Sequence, residues 1–471
     1  MKSGNVRISH IKVQNFKNVI YGELSLENTR KPYKASVLGL YGQNGSGKTA
    51  LVDSLELLKN AMSGRKIPEK FADYINVSAG FATLTFDFLI EYPNDSINVS
   101  YQFSIKSDNV TIEQNSDDVK SSERKVVIFN ELLKCPILSE KQVKTGRLID
   151  TSGSEIFTPI SKKELLVGSA KDVNNDLLVA KKFTSVTSRS FIFSRELINL
   201  IRIRSGILNS DEFDYYHSIL ENLNVYGNIG LFVVNTTTSG LVSQNAQPIV
   251  FKYREANKGA SGKLALFLDE PNEISQNSKI LVEKIIDNMN IALQQIIPGL
   301  TVGIKNLGTQ VMDNGEVGCR IQLMSLKNNK EIALKYESEG IKKIISVLQL
   351  LIVVYNDPST TVVVDELDSG VFEYLLGELL RIISEKGRGQ LIFTSHNLRP
   401  LETLDRGFVA FTTTDPEQRY IRLPNVKETN NLRDIYYRDI ILDEHGKNLY
   451  EKTNNAEIAF AFREAGKYSG A

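Results

Sequence analysis

The sequence predicts an α/β protein: a mixed sheet with an antiparallel β subdomain, and a helical insertion between the two halves of the sheet. Three observations carry that prediction. A nearly all-apolar run, Ala35 to Tyr41, is followed by a glycine-rich turn and then by an amphipathic helix. Toward the other end, helix-like and strand-like segments alternate over 340–355, 361–365, 371–385 and 390–394. Between them, residues 79–115 alternate apolar with polar. The first two patterns fit parallel βα units, whose strands are covered on both faces. The third fits antiparallel sheet with one wet face.

Taken in order, Arg7 to Val13 and Gly22 to Leu26 read as opening strands, and Ala35 to Tyr41 reads as a buried one. Ala50 to Ala61 reads as a helix with Leu51, Leu55 and Leu58 on one face and Asp53 and Glu56 on another. Phe81 to Phe88 and Ile97 to Phe103 form a hairpin around Pro93-Asn94-Asp95. Residues 115–225 are polar, mixed and mostly helical in pattern, with helices expected over 194–208 and 211–223. Strands return at 230–235 and 247–253, and a helix over 278–297 ends at Pro298-Gly299. The expected organisation is therefore four stretches. Residues 1–115 and 336–471 supply the two halves of one sheet domain, 116–228 is a mainly helical insertion, and 229–335 is a strand-helix segment that returns the chain to the sheet.

Composition narrows the class. At 471 residues, 41% hydrophobic and 24% charged, the chain is ordinary for a globular protein. Its 56 acidic and 56 basic residues balance, which argues against a general coat on nucleic acid, where phosphate neutralisation needs a basic excess. Cys135 and Cys319 are the only cysteines, too few for a disulfide framework or a cysteine zinc site. The first residues lack a signal-peptide pattern, and no apolar run reaches about 18 residues. The expectation is a cytoplasmic protein with no membrane contact.

The strongest chemical signal is Gly42-Gln43-Asn44-Gly45-Ser46-Gly47-Lys48-Thr49, which fits G-x-x-x-x-G-K-[ST] between a strand and a helix. Glycines let backbone N–H groups wrap a phosphate, and the helix start adds partial positive charge. In such a loop Lys48 reaches the outer phosphates and the Thr49 hydroxyl ligates Mg²⁺. Residues 361–364 then form an apolar strand ending in Asp365-Glu366, at the edge where open α/β sheets gather ligands. Asp365 suits Mg²⁺, usually through water, and Glu366 suits the attacking water. A rival, Leu266-Phe267-Leu268-Asp269-Glu270-Pro271, has no switch residue at a suitable distance after it and reads as a structural strand end. His396 closes the strand from Gln390, thirty residues after Glu366; a neutral imidazole there can donate to a γ-phosphate. Ser338-Glu339-Gly340 opens an apolar helix. Small residues and a hydroxyl at such a start form a second anion site, although Ser338 also fits an ordinary N-cap.

In this order the glycine loop (Walker A), the S-x-G segment, the Asp-Glu strand end (Walker B), Asp368-Ser369-Gly370 as a D-loop and His396 as a switch resemble the motifs of ABC-type ATPases. The opening strands with Asn15-Phe16-Lys17 resemble SMC, Rad50 and RecF heads. A nearer resemblance is to the AAA15/OLD-like ATPases of bacterial anti-phage islands. It is carried by Ser338-Glu339-Gly340-Ile341-Lys342-Lys343, Asp365-Glu366-Leu367-Asp368-Ser369-Gly370, Phe393 to Arg399 and Asn430 to Asp434. It covers roughly 1–60 and 335–440 by motif and the middle only in layout.

The resemblance implies an ABC-type P-loop ATPase head that dimerises head-to-tail around ATP and Mg²⁺. Gly42, Asn44, Gly45, Ser46, Gly47, Lys48 and Thr49 of one chain would hold the nucleotide, Thr49 and Asp365 the metal, and Lys48, Glu366 and His396 would carry the reaction. Ser338 and Gly340 of a second copy would cap the γ-phosphate. It further implies a homodimer or higher even-numbered oligomer and a separate toxin or nuclease effector encoded nearby. The signature departs from LSGGQ in lacking the second adjacent glycine, and no Q-loop glutamine can be placed; Gln102 lies in a strand. A RecF/Rad50-like repair ATPase that binds DNA directly is the alternative. The C-terminal stretch, with Arg433, Arg438 and Tyr436-Tyr437, either docks a partner or closes the fold as a helical layer.

Overall fold

The computed structural model describes residues 4–28, 34–111, 122–137, 144–235, 246–255, 258–268, 270–312, 315, 317–328, 330–423, 431–442 and 448–466. Two sheets dominate. The first is antiparallel and made of β1 (Asn5–Phe16), β2 (Val19–Ser25), β4 (Ala82–Tyr92), β5 (Asp95–Thr111), β6 (Ser122–Ile137) and β7 (Lys144–Asp150), in the order β2-β1-β4-β5-β6-β7. The second is β3 (Ser36–Tyr41), β8 (Leu231–Val234), β15 (Thr361–Val364), β16 (Gln390–Thr394), β17 (Val409–Thr412) and β18 (Tyr420–Ile421), in the order β18-β17-β3-β16-β15-β8. In it only β18 runs antiparallel to its neighbour.

Helix α1 (Lys48–Met62) lies between the sheets. Its Leu51, Leu55 and Leu58 share one core with Val13, Phe86 and Phe103 of the first sheet and with Leu38, Val363 and Ile392 of the second. The opposite face of the second sheet, with Val37, Val362, Val364 and Leu391, packs in a separate core with α7 (Glu339–Asn356) and α8 (Glu373–Lys386). Burial on both faces is why these strands read as unbroken apolar runs. Helices α2 (Ile160–Val167), α3 (Lys171–Val186), α4 (Arg195–Ser205) and α5 (Asp211–Val225) contribute to the first core.

Between the two halves, β9 (Ala246–Glu255) and β10 (Lys258–Phe267) form an antiparallel ribbon. Strands β11 (Asn272–Ser275), β12 (Leu300–Val311), β13 (Val317–Lys327) and β14 (Lys330–Ala333) form a small sheet, on which α6 (Gln276–Ile296) rests through a third core shared with α7. Last come α9 (Pro400–Thr403), α10 (Leu432–Leu442) and α11 (Asn455–Gly466). Tyr436 of α10 stacks on Phe411 at 4.9 Å, so α10 closes the sheet, whereas α11 buries no side chain. Among the described residues no helix is long and apolar enough to cross a membrane.

One expectation is corrected. The stretch 116–228 is not helical from its start: β6 and β7 extend the antiparallel sheet before any helix begins. Their alternation is broken by register shifts between Gln102 and Ser104 and between Leu133 and Lys134, and by Asn130 at φ +50°. Such bulges put consecutive residues on one face, which erases the period-two signature.

Candidate nucleotide site

Strand β3 ends at Tyr41, and the chain turns through Gly42 to Gly47 into α1. Glycine is required here for two different reasons. A Cβ at Gly42 would stand 1.8 Å from Thr412 Oγ1, so strand β17 leaves no room for one. Gly47, at φ +97°, is the N-cap of α1, a left-handed position that costs other residues free energy. Behind the loop, the Thr412 hydroxyl donates to the Tyr41 carbonyl at 3.3 Å and hydrogen-bonds Ser46 Oγ. Lys48 Nζ folds back on the loop, donating to the Gly42 and Gln43 carbonyls at 2.7 and 3.0 Å. Burial lowers the Lys48 pKa, and the carboxylates of Asp365, Glu366 and Asp368 oppose that.

A cleft of about 450 Å³ opens over this turn, lined by Asn44, Gly45, Gly47, Lys48 and Thr49. Its facing wall is Asp365, Glu366 and His396. The sheet order explains the meeting. The strand before Asp365 and the strand before His396 are parallel neighbours, and β16 pairs in turn with β3. All three therefore deliver their C-terminal ends to one edge.

The carboxylate wall is held by Thr394, a residue the motifs did not single out. Its hydroxyl donates to Asp365 Oδ1 at 2.5 Å and accepts from the Glu366 amide at 2.8 Å. Glu366 sits at φ +50°, a conformation that costs a non-glycine residue about 1–3 kcal/mol and concentrates at functional sites. Asp365 is 1% exposed, and its Oδ2 is buried without a hydrogen-bond partner. A buried, unsatisfied carboxylate oxygen is expensive. Beside the Thr49 hydroxyl in the same cleft it forms the hard-oxygen donor set that Mg²⁺ takes, so the residues fit that ion. Asp368 accepts from the backbone N–H of His396 at 3.0 Å and of Asn397 at 2.9 Å, which fixes the loop that carries the histidine.

Gly42 and Ser46 stand behind the loop rather than in the cleft wall. Ser338 and Gly340 lie outside the cleft lining. Ser338 caps α7, accepting from the Ile341 amide at 3.3 Å, and Gly340 packs on Gly370. The rival acidic strand belongs to the β9–β10 ribbon, where Leu266 pairs Gln247, and its Asp269 lies outside the described residues. Gln102 faces Thr85 across β4 and β5 and does not line the cleft. Of the other histidines, His217 is buried against Phe213, His10 lies between Glu23 and Asp87, and His445 is outside the described residues, as is Asn430.

Sequence reasoning missed a brace around the loop. Lys17 and Asn18 line the cleft, and the Asn18 side chain donates to the Gly45 carbonyl. Arg419, 5% exposed, donates to the carbonyls of Thr413 (2.7 Å) and Asn18, and its Cγ and Cδ lie 3.0 Å from where a Cβ at Gly47 would be. Tyr420 OH donates to the Gly47 carbonyl at 3.0 Å. Lys17 lies in the Asn15-Phe16-Lys17 segment, which carried a resemblance but no assigned role; no motif marks Asn18, Arg419 or Tyr420, whose signal was the strand-like Arg419 to Arg422.

A glycine loop capping a helix, an acidic strand end across from it and a histidine just past the strand between are the arrangement of a P-loop nucleotide-binding domain. The chain belongs to the family described as "AAA domain, putative AbiEii toxin, Type IV TA system", which matches residues 37–402. Among solved structures it is similar to the SMC head domain from Thermotoga maritima, at 13% identity over 89% of this chain and 100% of that one, with a TM-score of 0.37. It is also similar to the recombination mediator protein RecF-ATPrS of the RecFOR pathway, at 12% identity over 89% and 98%, TM-score 0.34. A third is the Smc head bound to the C-winged helix domain of ScpA, at 8% identity over 88% and 98%, TM-score 0.39. No curated protein matches the chain.

Proposed function

We propose that the chain is an ATP hydrolase whose working form is a head-to-tail pair, each nucleotide held by the glycine loop of one copy and the Ser338 helix start of the other. The observation that carries the reading is the unpaired, buried Asp365 Oδ2 set across a cleft from Lys48 and Thr49. In this mechanism the loop and α1 receive the phosphates, and Lys48 exchanges its two carbonyl partners for phosphate oxygens. Thr49 and Asp365 would hold Mg²⁺, which when bound would offset charge on the phosphates. Glu366 orients the attacking water and accepts its proton, and His396 donates to the γ-phosphate. Ser338 and Gly340 lie outside the cleft of their own chain, which is why a second copy is needed to complete the site.

Mixing two inactive variants tests the pairing. Lys48→Ala spoils the loop and Ser338→Arg spoils the cap, so a mixed pair has one site in which both defects fall on other surfaces. ATPase activity should appear on mixing, and specific activity of the wild type should rise with protein concentration. A mixture that stays inactive, with wild-type specific activity independent of concentration, overturns the pairing.

Beyond the reaction, we propose that nucleotide state controls a separate protein effector in phage defence. The family description, which names an AbiEii toxin and a type IV toxin–antitoxin system, supports a toxin–antitoxin setting, and the separate effector is this reading's own addition. Phage protection by the chain with its neighbouring genes should disappear in Lys48→Ala. Protection that persists in that variant counts against nucleotide control.

A further inference from the structure

His396 reaches the cleft from a segment that cannot hold its own shape. After β16 ends at Thr394, the chain runs through 395–399 outside any helix or strand and then forms only the four residues of α9. His396 itself is exposed, and one helical turn is too short to be stable alone. The segment needs anchors from outside, and it has them on two sides. On the cleft side, Asp368 Oδ2 accepts from the His396 and Asn397 amides at 3.0 and 2.9 Å.

The other anchor is Glu402 of α9. One of its oxygens accepts from Arg399, and the other accepts from Arg433 Nη1 at 2.7 Å. Arg399 ties this carboxylate to the histidine loop, because its own amide donates to Asn397 Oδ1 at 2.9 Å. The Arg399 guanidinium lies 5.2 Å over the Tyr374 ring of α8, and its Cγ is 2.9 Å from where a Cβ at Gly377 would be. Arg433 comes from α10, whose Leu432, Ile435 and Tyr436 are buried. An unbroken series of contacts thus runs from α10 through Glu402, Arg399 and Asn397 to His396. A lone surface ion pair contributes little. Here one carboxylate takes a guanidinium on each oxygen, and charge-assisted bonds of that kind fix direction as well as distance.

We infer that Glu402 and Arg433 are positioning residues: through Arg399 and Asn397 they hold His396 at the cleft, and so tether the histidine loop to α10. The inference rests on the proposed ATPase reading and gives a part in it to Arg433, which has no place in the glycine-loop machinery. Neither side chain lines the cleft. Both act on turnover only by narrowing the range of positions open to the histidine. Their loss leaves the grip of the glycine loop and α1 on the phosphates intact.

The experiment is steady-state MgATP kinetics on full-length Glu402→Gln, Arg433→Met and Arg433→Lys, with Glu366→Gln in parallel. A reacting group displaced by about 1 Å costs about 100-fold, and one that is loosened but still visits its place should cost about 10-fold. Glu402→Gln and Arg433→Met should therefore lose about 10-fold in kcat with KM nearly unchanged, and Arg433→Lys, which keeps the charge, should regain most of it. Wild-type kcat in the first two, a loss confined to KM, or an Arg433→Lys no better than Arg433→Met overturns the inference. If Glu366→Gln turns over at the native rate, the ATPase reading fails instead, and amide hydrogen exchange without nucleotide decides the tether. Exchange over 395–404 should quicken in Arg433→Met, with the His396 and Asn397 amides losing protection, while 36–62 exchanges as in the wild type. Unchanged protection over 395–404 overturns the tether whatever the ATPase assay gives.

Discussion

Thr394→Val is the sharpest probe of how the acidic wall is built. Valine matches threonine in shape, so the core around this 1%-exposed side chain is undisturbed and only the hydroxyl is lost. Two partners are then orphaned: Asp365 Oδ1, now at 2.5 Å, and the Glu366 amide, now at 2.8 Å. A hydrogen bond to an ionised group contributes about 1.5–3 kcal/mol and an abandoned amide about 1 more, giving roughly 3 kcal/mol of lost stability. The effect on turnover should exceed that on binding. Glu366 is held at φ +50° partly by this amide bond, and a loosened Glu366 misplaces the water it orients, lowering kcat about 10- to 100-fold. Phosphates are gripped by the glycine loop and α1, so nucleotide affinity should change little. Urea denaturation of the nucleotide-free protein gives the first quantity, and phosphate release under saturating MgATP gives the second. A Thr394→Val protein with the wild-type urea midpoint and kcat would refute the assignment of Thr394 as the clamp on this wall.

Other perturbations separate binding from chemistry. Lys48→Ala should abolish binding of a fluorescent ATP analogue, because no other cation in the loop offsets the phosphates. Glu366→Gln should bind the analogue with near-native affinity yet release no phosphate, accumulating as a nucleotide-bound pair visible by size-exclusion chromatography. Gly42→Ala should unfold at lower denaturant than wild type, since its Cβ meets Thr412 at 1.8 Å. Gly45→Ala meets nothing within 4 Å and should fold with a strain cost of only about 1–2 kcal/mol. For pH, the probe is Glu131, whose carboxylate accepts from Tyr101, Ser190 and the Phe191 amide. Burial raises its pKa above the ordinary glutamate value despite those bonds. The folded state therefore keeps a proton that the unfolded chain releases, and that stability is complete below the ordinary value and lost as pH rises through the raised one. Relative to Glu131→Gln, the wild type should lose urea stability across that window. A difference that is flat with pH would contradict it.

What could be read in the sequence was whatever a continuous segment expresses by itself. Ala35 to Thr49 shows a buried strand, a loop and a helix in one stretch, and Thr361 to Glu366 shows a strand with its acids, because both faces of these strands are covered and their runs stay unbroken. The brace was hidden for the opposite reason. Strands β17 and β18 have 4 and 2 residues, too few to show a period. Their contacts reach across the chain, from Arg419 to Asn18 and from Tyr420 to Gly47. Thr394 stood inside a quoted segment, but a hydroxyl's role depends on a neighbour 29 residues away. Strand β6 escaped because its bulges scramble alternation while Asn130 and the buried Glu131 look like loop residues.

The order of the second sheet also sets the dimensions of the site. Strand β3, which carries the glycine loop, does not adjoin β15, which carries Asp365; β16 lies between them. Neighbouring strands stand about 4.8 Å apart, so the loop and the acidic wall rise from backbones roughly 10 Å apart. A wall on the adjacent strand would crowd Lys48 against Asp365 and let the two neutralise each other. At two strands' distance a phosphate and a hydrated cation fit between them, and the intervening strand is the natural place for groups that must reach both sides. It supplies Thr394, which clamps the wall, and His396, which faces the cleft. On the far side of β3, β17 adjoins the loop strand directly, and Thr412 from that strand braces the loop at contact distance. Bracing needs adjacency and chemistry needs a gap, and this strand order provides both around a single glycine loop.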